Sequence, residues 1–427
     1  IDGPDEIDPV AGSAETQDGD QSTGASEADL EPSSPALLPD LIGNYKILGL
    51  IASGGMGHVY RARRIGEDDQ MAGPDVALKV IASMVPSKRT LARFSLERHA
   101  LSVMDHPNIA RVFDSGVHGA SQPYVVMELV DGTPIDAHCD TNRLSIDDRL
   151  QLFFQVCQGI QHAHQKGLIH RDIKPSNLLV TVVDGRRVAK VIDFGLAKAV
   201  DEAQRSQSMS RTQAGDMVGT IEYMSPEQAL AINTDVDTRT DVYSLGVILH
   251  QLLTGQSPMG RARSLTDNLE SLLRTLREED VKPPSRLISQ SGDQGYRFAY
   301  VRKTTPDRLA RRLAGDLDLI CLKALERFPH RRYDTPSALA DDVTRYLNGE
   351  PVSASPRSFG YQMRHALLRH RTFVSAATAV VLALVIGLIA TAIMWSRSES
   401  QRARATLAER FVREAAQEAD RNSEIAQ

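Results

Sequence analysis

The stretch Leu168-Ile169-His170-Arg171-Asp172-Ile173-Lys174-Pro175-Ser176-Asn177-Leu178-Leu179 decides how this chain is read. Apolar residues lead in, charged and amide groups follow, and apolar residues resume. That pattern describes a polar loop held on a rigid base. Asp172 offers a carboxylate as proton acceptor, Lys174 an ammonium as phosphate contact, and Asn177 an amide oxygen as metal ligand. Phosphoryl transfer to a hydroxyl uses those three parts. A surface turn also carries such residues singly; the complete string at this spacing argues against a mere turn.

Downstream, Leu178–Val183, a turn at Asp184-Gly185 and Val188–Ile192 read as a hairpin that delivers Asp193-Phe194-Gly195. A carboxylate just after a buried strand suits oxygen coordination of a divalent cation. Upstream, residues 147–165 carry Leu150, Phe153, Val156, Cys157 and Ile160 at helical spacing. Nearer the start, residues 46–51 and 58–63 read as strands around the glycine-rich turn Ala52-Ser53-Gly54-Gly55-Met56-Gly57. Such a turn lets backbone N–H groups approach phosphate oxygens. Residues 64–75 read as a loop. Residues 76–81 form a strand with Lys79 inside an apolar run, and a half-buried lysine calls for a partner. Glu97, in a helical pattern over 90–104, is the candidate. Residues 112–117 and 123–130 read as two more strands. Residues 199–216 are polar and hold Ser206, Ser208, Ser210 and Thr212; Asp241–Leu253 is an apolar helix. Residues 256–305 read as an insertion of loops and short helices, and 307–347 as helical.

The net charge of −6 over 427 residues conceals an asymmetry. Residues 1–40 hold eleven acidic residues and no basic ones, leaving 49 basic against 44 acidic in the remainder. The first 40 residues are too polar to offset their ordering entropy and are expected to be disordered. The mild basic excess elsewhere points to no nucleic-acid partner. Cys139, Cys157 and Cys321 lack paired spacing, so neither a disulfide framework nor a zinc site is expected. Thr372–Ser396 carries no charge across 25 residues, with Trp395 near its end. At ~1.5 Å per residue it exceeds a bilayer core of ~30 Å. Arg364, Arg369 and Arg371 precede it, and Arg397, Arg402 and Arg404 follow. That symmetry leaves orientation undecided by the positive-inside rule. Small residues at Ser375, Ala376, Ala379, Ala383 and Gly387 allow a homodimer through this helix. The chain opens on Ile1 and reads as a fragment, with a further domain expected beyond Gln427.

In their order, these motifs resemble the eukaryotic-type serine/threonine protein kinases, in particular the membrane-anchored bacterial ones, over about Tyr45 to Leu347. The resemblance implies an α+β bilobal kinase fold followed by one transmembrane helix. The implied layout is an acidic segment at 1–40 and a kinase domain at 41–348, with lobes at 41–130 and 131–348. A linker at 349–371, a membrane helix at 372–396 and a helical segment at 397–427 would follow.

Residue roles follow from the same resemblance. Ile51, Ala52, Ser53, Gly54, Gly55, Met56, Gly57, His58 and Val59 match the phosphate-covering loop. Ala52 stands where the first glycine usually does, which implies weakened ATP binding. Lys79 and Glu97 match the phosphate-contacting ion pair. Ala77, Leu179 and Val59 match the adenine sandwich, and Met127 the back of its pocket. Glu128 to Val130 match the segment that offers backbone hydrogen bonds to the adenine edge. Asp172 matches the catalytic base, Lys174 the phosphoryl contact, and Asn177 with Asp193 the ligands of Mg²⁺, or alternatively Mn²⁺. Arg171, Ser206, Ser208, Ser210, Thr212 and Thr220 match regulatory positions, and Glu227 is expected to pair with Arg332. The implied partners are ATP, serine- or threonine-bearing proteins and the lipid bilayer. The implied location is the cell membrane, with the kinase domain in the cytoplasm. A pseudokinase acting by docking is the alternative, and it rests on Ala52.

Overall fold

In the computed structural model the described residues are 39–54, 57–66, 68, 70–81, 104–119, 122–194, 221–229, 237–259, 274, 280–355 and 371–425. The expectations for Gly55, Met56, Glu97, Gly195, Ser206, Ser208, Ser210, Thr212 and Thr220, and for residues 1–38, lie outside them.

Alternating apolar residues build the first layer. Strands β1 (Leu41–Ile42), β2 (Tyr45–Gly54), β3 (Gly57–Ile65), β4 (Met71–Ile81), β5 (Val112–His118) and β6 (Gln122–Glu128) form one antiparallel sheet in the order β1-β2-β3-β4-β6-β5. Because side chains alternate across a strand, Val76, Leu78 and Val80 pack outward with Tyr60, Ala62 and Val126, while Ala77 and Ile81 join Val125 and Met127 in a separate cluster on the opposite face. Lys79 shares that second face by period. Burial in β2 alternates only as far as Ile47. Register shifts between Ile47 and Gly49 and between Leu50 and Ala52 then bend its outer half into solvent.

Both strands bordering residues 64–75 run further than expected, to Ile65 and from Met71. The cause is cross-strand charge, which apolar alternation does not register. Asp75 lies opposite Arg63 and bonds Arg61 and Arg63 at 2.5 and 2.6 Å.

The second lobe is helical. Its axis is α2 (Ile146–Gln165), which follows α1 (Ile135–Thr141) and starts in a capping box between Ser145 and Asp148. One face of α2 buries Leu150, Phe153, Val156, Cys157 and Ile160. After α3 (Pro226–Ala229), α4 (Arg239–Thr254) is buried along nearly its whole length. Gly246 lets it approach the next layer: a Cβ there would stand 2.9 Å from the Cβ of Ala324. Then come α5 (Pro284–Gln290), α6 (Gly292–Tyr300), α7 (Pro306–Leu313), α8 (Asp316–Ala324) and α9 (Pro336–Leu347). The first two are the short helices expected within 256–305.

A three-stranded sheet of β7 (Thr133–Pro134), β8 (Leu178–Val183) and β9 (Arg186–Val191) borders the cleft. Asp184 and Gly185 close its hairpin with φ of +49° and +75°. Positive φ at both central residues is what a two-residue turn of matching twist requires. Ile109 pairs with Val191, and the amide of Asn108 donates to Ala189 O at 2.8 Å, so the segment before β5 is stitched to β9.

Packing of the helical lobe continues past α9. The Asp342 side chain is fully buried. It accepts from the Tyr333 hydroxyl (2.8 Å), the Ser353 amide (2.7 Å) and hydroxyl (2.8 Å), and the Ala354 amide (2.9 Å). Val352 is buried in the core beside this clamp. A continuous helix α10 then spans Arg371–Ile425. It does not break where charge resumes after Ser396. Its stretch Ala379–Gln417 is long and apolar enough to cross a membrane, with a mean hydropathy of 2.4 in its most apolar window.

Asp342→Asn retains the volume but weakens charge-assisted acceptance, so it should cost about 1–3 kcal/mol. Urea unfolding measures the loss. Hydrogen exchange should report faster exchange at the Ser353 and Ala354 amides than elsewhere in the lobe.

Candidate active site

The cleft between the lobes gathers groups from distant parts of the sequence. Its base is Asp241, at the N-terminal end of α4 and fully buried. One carboxylate oxygen accepts from the His170 amide (2.8 Å) and His164 Nε2 (2.7 Å), and the other from the Arg171 amide (2.8 Å). Burial pushes the Asp241 carboxyl up, but hydrogen bonding and charge from His164 and the bonds from His170 more than offset it. The net position is below the usual carboxylate range. Arg171 takes a left-handed φ of +61°. For a non-glycine residue this costs on the order of 1–3 kcal/mol. The amide of this residue and the one before it are therefore both held by a buried charge.

Above it, His170 is buried and its ring centroid lies 4.8 Å from that of Phe194. Nε2 donates to Ile192 O at 3.2 Å, and Nδ1 accepts the Asp172 amide at 3.3 Å. Those bonds require the neutral imidazole. Burial lowers its pKa, outweighing the opposing charges of Asp241, Asp172 and Asp193.

Asp172 is aimed by its neighbours. Asn177 Nδ2 donates both to Asp172 O (2.8 Å) and to its carboxylate (3.1 Å), and Lys174 Nζ lies 3.1 Å from the same carboxylate oxygen. The 3-10 turn Pro175–Asn177 makes this spacing possible. With its nitrogen committed, Asn177 turns its amide oxygen the other way. Asp193 also has φ of +61°. Its two oxygens lie 2.6 and 2.5 Å from Lys79 Nζ. Lys79 thus has Asp193 as its partner here; the expected partner Glu97 is outside the described residues.

The remaining expected positions surround these groups. Ala77, opposite Met127 in the sheet register, and Met127 are buried; Val59 and Leu179 are half-buried. The Glu128 amide donates to Arg111 O, and its carboxylate pairs with Lys190 at 2.8 Å. Val130 is half-buried on the same connecting segment. Ile51, Ala52, Ser53, Gly54 and His58 are exposed on the arm formed by β2 and β3, and Gly57 is buried with φ of +126°. Ala52 is absent from the positive-φ residues, so its methyl group meets no backbone strain. Glu227 and Arg332 form the expected bidentate pair at 2.7 and 2.8 Å, with Arg332 4.9 Å from the Tyr243 ring centroid. Burial raises the Glu227 carboxyl, but the Arg332 bonds and charge bring it below its ordinary value.

Three positioning residues escaped the sequence reading: Asp241, His164 and Gln228, whose side-chain amide donates to Arg171 O at 3.2 Å. A lone carboxylate opening the apolar run Val242–Leu253 was the available signal for the first. Nothing local marks the other two.

With this geometry in view, the family comparison is direct. The protein kinase domain model matches residues 45–342, and the chain belongs to that family. Its members use ATP with a divalent cation. The chain is 33% identical over 322 residues to serine/threonine-protein kinase PknB of Mycobacterium leprae, covering 74% of this chain and 45% of that protein. It is 32% identical over 317 residues to serine/threonine-protein kinase Pkn1 of Myxococcus xanthus, covering 74% and 40%. It thus spans less than half the length of these curated relatives. A solved kinase domain of Mycobacterium tuberculosis PknI aligns with a TM-score of 0.48 at 22% identity, over 73% of this chain and 99% of that one.

The Asp241 carboxyl is depressed in the fold, so its contribution is complete above the ordinary carboxylate pKa of about 4 and is lost as pH falls below it. Urea midpoints taken from pH 7 to pH 3 should fall in the native chain. In Asp241→Asn they should start lower and fall less steeply over that window.

Proposed function

We propose that this chain transfers the γ-phosphoryl group of ATP to serine or threonine hydroxyls of proteins. The observation that carries this reading is the Asp172 carboxylate held by Asn177 and Lys174 beside the Asp193–Lys79 pair. Asp172 accepts the hydroxyl proton and orients the nucleophile. Lys174, within contact of Asp172, neutralises charge on the moving group. Lys79 is the cation for the α- and β-phosphates, and when these arrive it exchanges Asp193 for them.

The oxygens of Asp193 and the outward amide oxygen of Asn177 are hard donors that suit Mg²⁺, which would supply charge neutralisation at the phosphates. The adenine ring fits between Val59 and Ala77 on one side and Leu179 on the other, with Met127 behind and the Glu128 carbonyl and Val130 at its edge. The negative φ at Ala52 supports a phosphate loop that still closes over ATP, which weakens the docking-only alternative.

Autophosphorylation among Ser206, Ser208, Ser210 and Thr212 would supply a charge that Arg171 can bind. The α10 helix supports a single-pass anchor, and the need for ATP places the kinase domain on the cytoplasmic side of the cell membrane. Pairing of two copies through α10 is the proposed assembly.

Asp172→Asn should lower phosphotransfer to a serine/threonine protein by at least about a hundredfold. Thermal-shift titration with Mg·ATP should still show binding by this variant. Equal phosphate incorporation by the native chain and the variant, followed by phosphosite mapping, would overturn the reading.

A further inference from the structure

A basic surface forms where α1 ends, α6 ends and the β8–β9 hairpin turns, and phosphoryl transfer makes no use of it. Three cations converge there. Arg143 follows α1 and Lys303 follows α6, with left-handed φ of +49° and +56°. Their amides bond back to Asp140 O and Tyr300 O, both at 3.1 Å. This helix-end conformation usually falls to glycine, so each long side chain is displayed against the backbone's preference. The third cation, Arg187, comes from β9. The Asp148 carboxyl lies below its usual range chiefly through the bond from Ser145, with burial opposing, and the charges of Arg187 and Lys303 add to this. Both cations therefore face the start of α2. The Arg143 guanidinium lies 3.9 Å from the Tyr300 ring centroid, which brings an aromatic ring into the cluster.

Among the described residues, no carboxylate lies within ion-pair distance of Arg143, Arg187 or Lys303. Asp148 is committed to the capping box of α2, and Asp147 to Arg312. A cation at a helix C-terminus stabilises that helix, which would account for Arg143 or Lys303 singly. It does not account for Arg187, which lies on a strand, or for the gathering of all three. Apolar surface accompanies the charge. Val182 stands opposite Arg187 in the strand register and so shares its face. Val182 and Tyr300 are both 60% exposed, and Val183 at the hairpin tip is 48% exposed, so the folded lobe leaves all three largely uncovered.

The end of the lobe borders this surface. Arg312, paired with Asp147 at the start of α2, also donates to the Tyr346 hydroxyl near the end of α9 at 3.4 Å. Beyond the clamped segment that follows α9, residues 356–370 lead to α10. At ~3.5 Å per residue that connection spans at most ~50 Å, so a bilayer entered by α10 lies within reach.

We propose that this surface docks on the anionic headgroups of the bilayer that α10 enters, with Arg143, Arg187 and Lys303 on the headgroup charges and Tyr300, Val182 and Val183 at the interface. Tyrosine favours the membrane–water boundary, and basic clusters close to a membrane helix are drawn to anionic lipid. The acidic residues 1–40 match the charge, but their sparse apolar content offers little to Tyr300 and the valines, which favours lipid as the occupant. The proposal rests on the reading of α10 as a membrane anchor and adds a fixed orientation of the kinase lobe on the membrane surface. Each cation close to anionic lipid raises the docked-to-undocked ratio about fivefold, and the three together about a hundredfold.

The test uses the full chain in nanodiscs of pure phosphatidylcholine or of an equal mixture with phosphatidylglycerol. Cys139, Cys157 and Cys321 are buried, so Val183→Cys provides a single accessible thiol for a polarity-sensitive fluorophore. Its emission should shift to the blue in the mixed discs only. The shift should vanish in about 1 M salt, where the screening length is ~3 Å. Combined Arg143→Gln, Arg187→Gln and Lys303→Gln should abolish it, and the charge-conserving set Arg143→Lys, Arg187→Lys and Lys303→Arg should retain it. Equal emission in the two kinds of disc, or an undiminished shift in the glutamine variant, would overturn the proposal. So would a shift in both lipids that disappears when residues 1–38 are deleted, which would assign the surface to the acidic segment. Failure of the chain to enter discs of either composition would overturn the anchor reading itself, and the docking with it, while leaving phosphotransfer intact.

Discussion

The carboxylate of Asp241 is the constraint on which the rest of the site depends. A charge removed from water at the mouth of an apolar helix is costly unless its oxygens are filled by strong donors. Here the donors are two consecutive backbone amides, those of His170 and Arg171, and the His164 ring. The helix thereby grips the loop by its main chain, so the loop's side chains remain available for chemistry. It also holds Arg171 in a left-handed conformation that a non-glycine residue avoids.

From that grip the geometry propagates in short steps. The loop amides fix His170, which packs on Phe194 and bonds Ile192 O; Ile192 in turn donates to Asn177 O. Two residues with left-handed φ, Arg171 and Asp193, lie at the ends of this network. Strain of this kind persists where the surroundings over-determine it. The Glu227–Arg332 pair and the Asp342 clamp serve the same purpose farther out. Each is a buried carboxylate whose desolvation is offset by several directed donors, and each fastens a loop that apolar packing alone would leave loose.

Much of the architecture was legible beforehand, for identifiable reasons. The β8–β9 hairpin was marked by Asp184-Gly185, which supplies the positive φ angles its turn needs. The buried face of α2 was marked by apolar spacing. Asp172, Lys174 and Asn177 were legible because a short turn brings residues so near in sequence into contact. What escaped has a common character. The strands bordering residues 64–75 are extended by Asp75 pairing with arginines on the next strand. Lys79 meets a carboxylate 114 positions away. The basic surface beside α2 exists only because the ends of α1 and α6 meet the β8–β9 hairpin.

The sequence alone determined the order of elements, the polar loop between apolar runs, the chemical identity of its groups and a helix long enough to cross a bilayer. These follow from period, turn chemistry and composition, which are local properties. Only the tertiary structure decided which charges meet: Asp241 with the loop amides, Lys79 with Asp193, and Arg312 with Asp147. Ion pairing and desolvation depend on distances through space, and a buried charge acquires its role from whatever donors the fold brings to it.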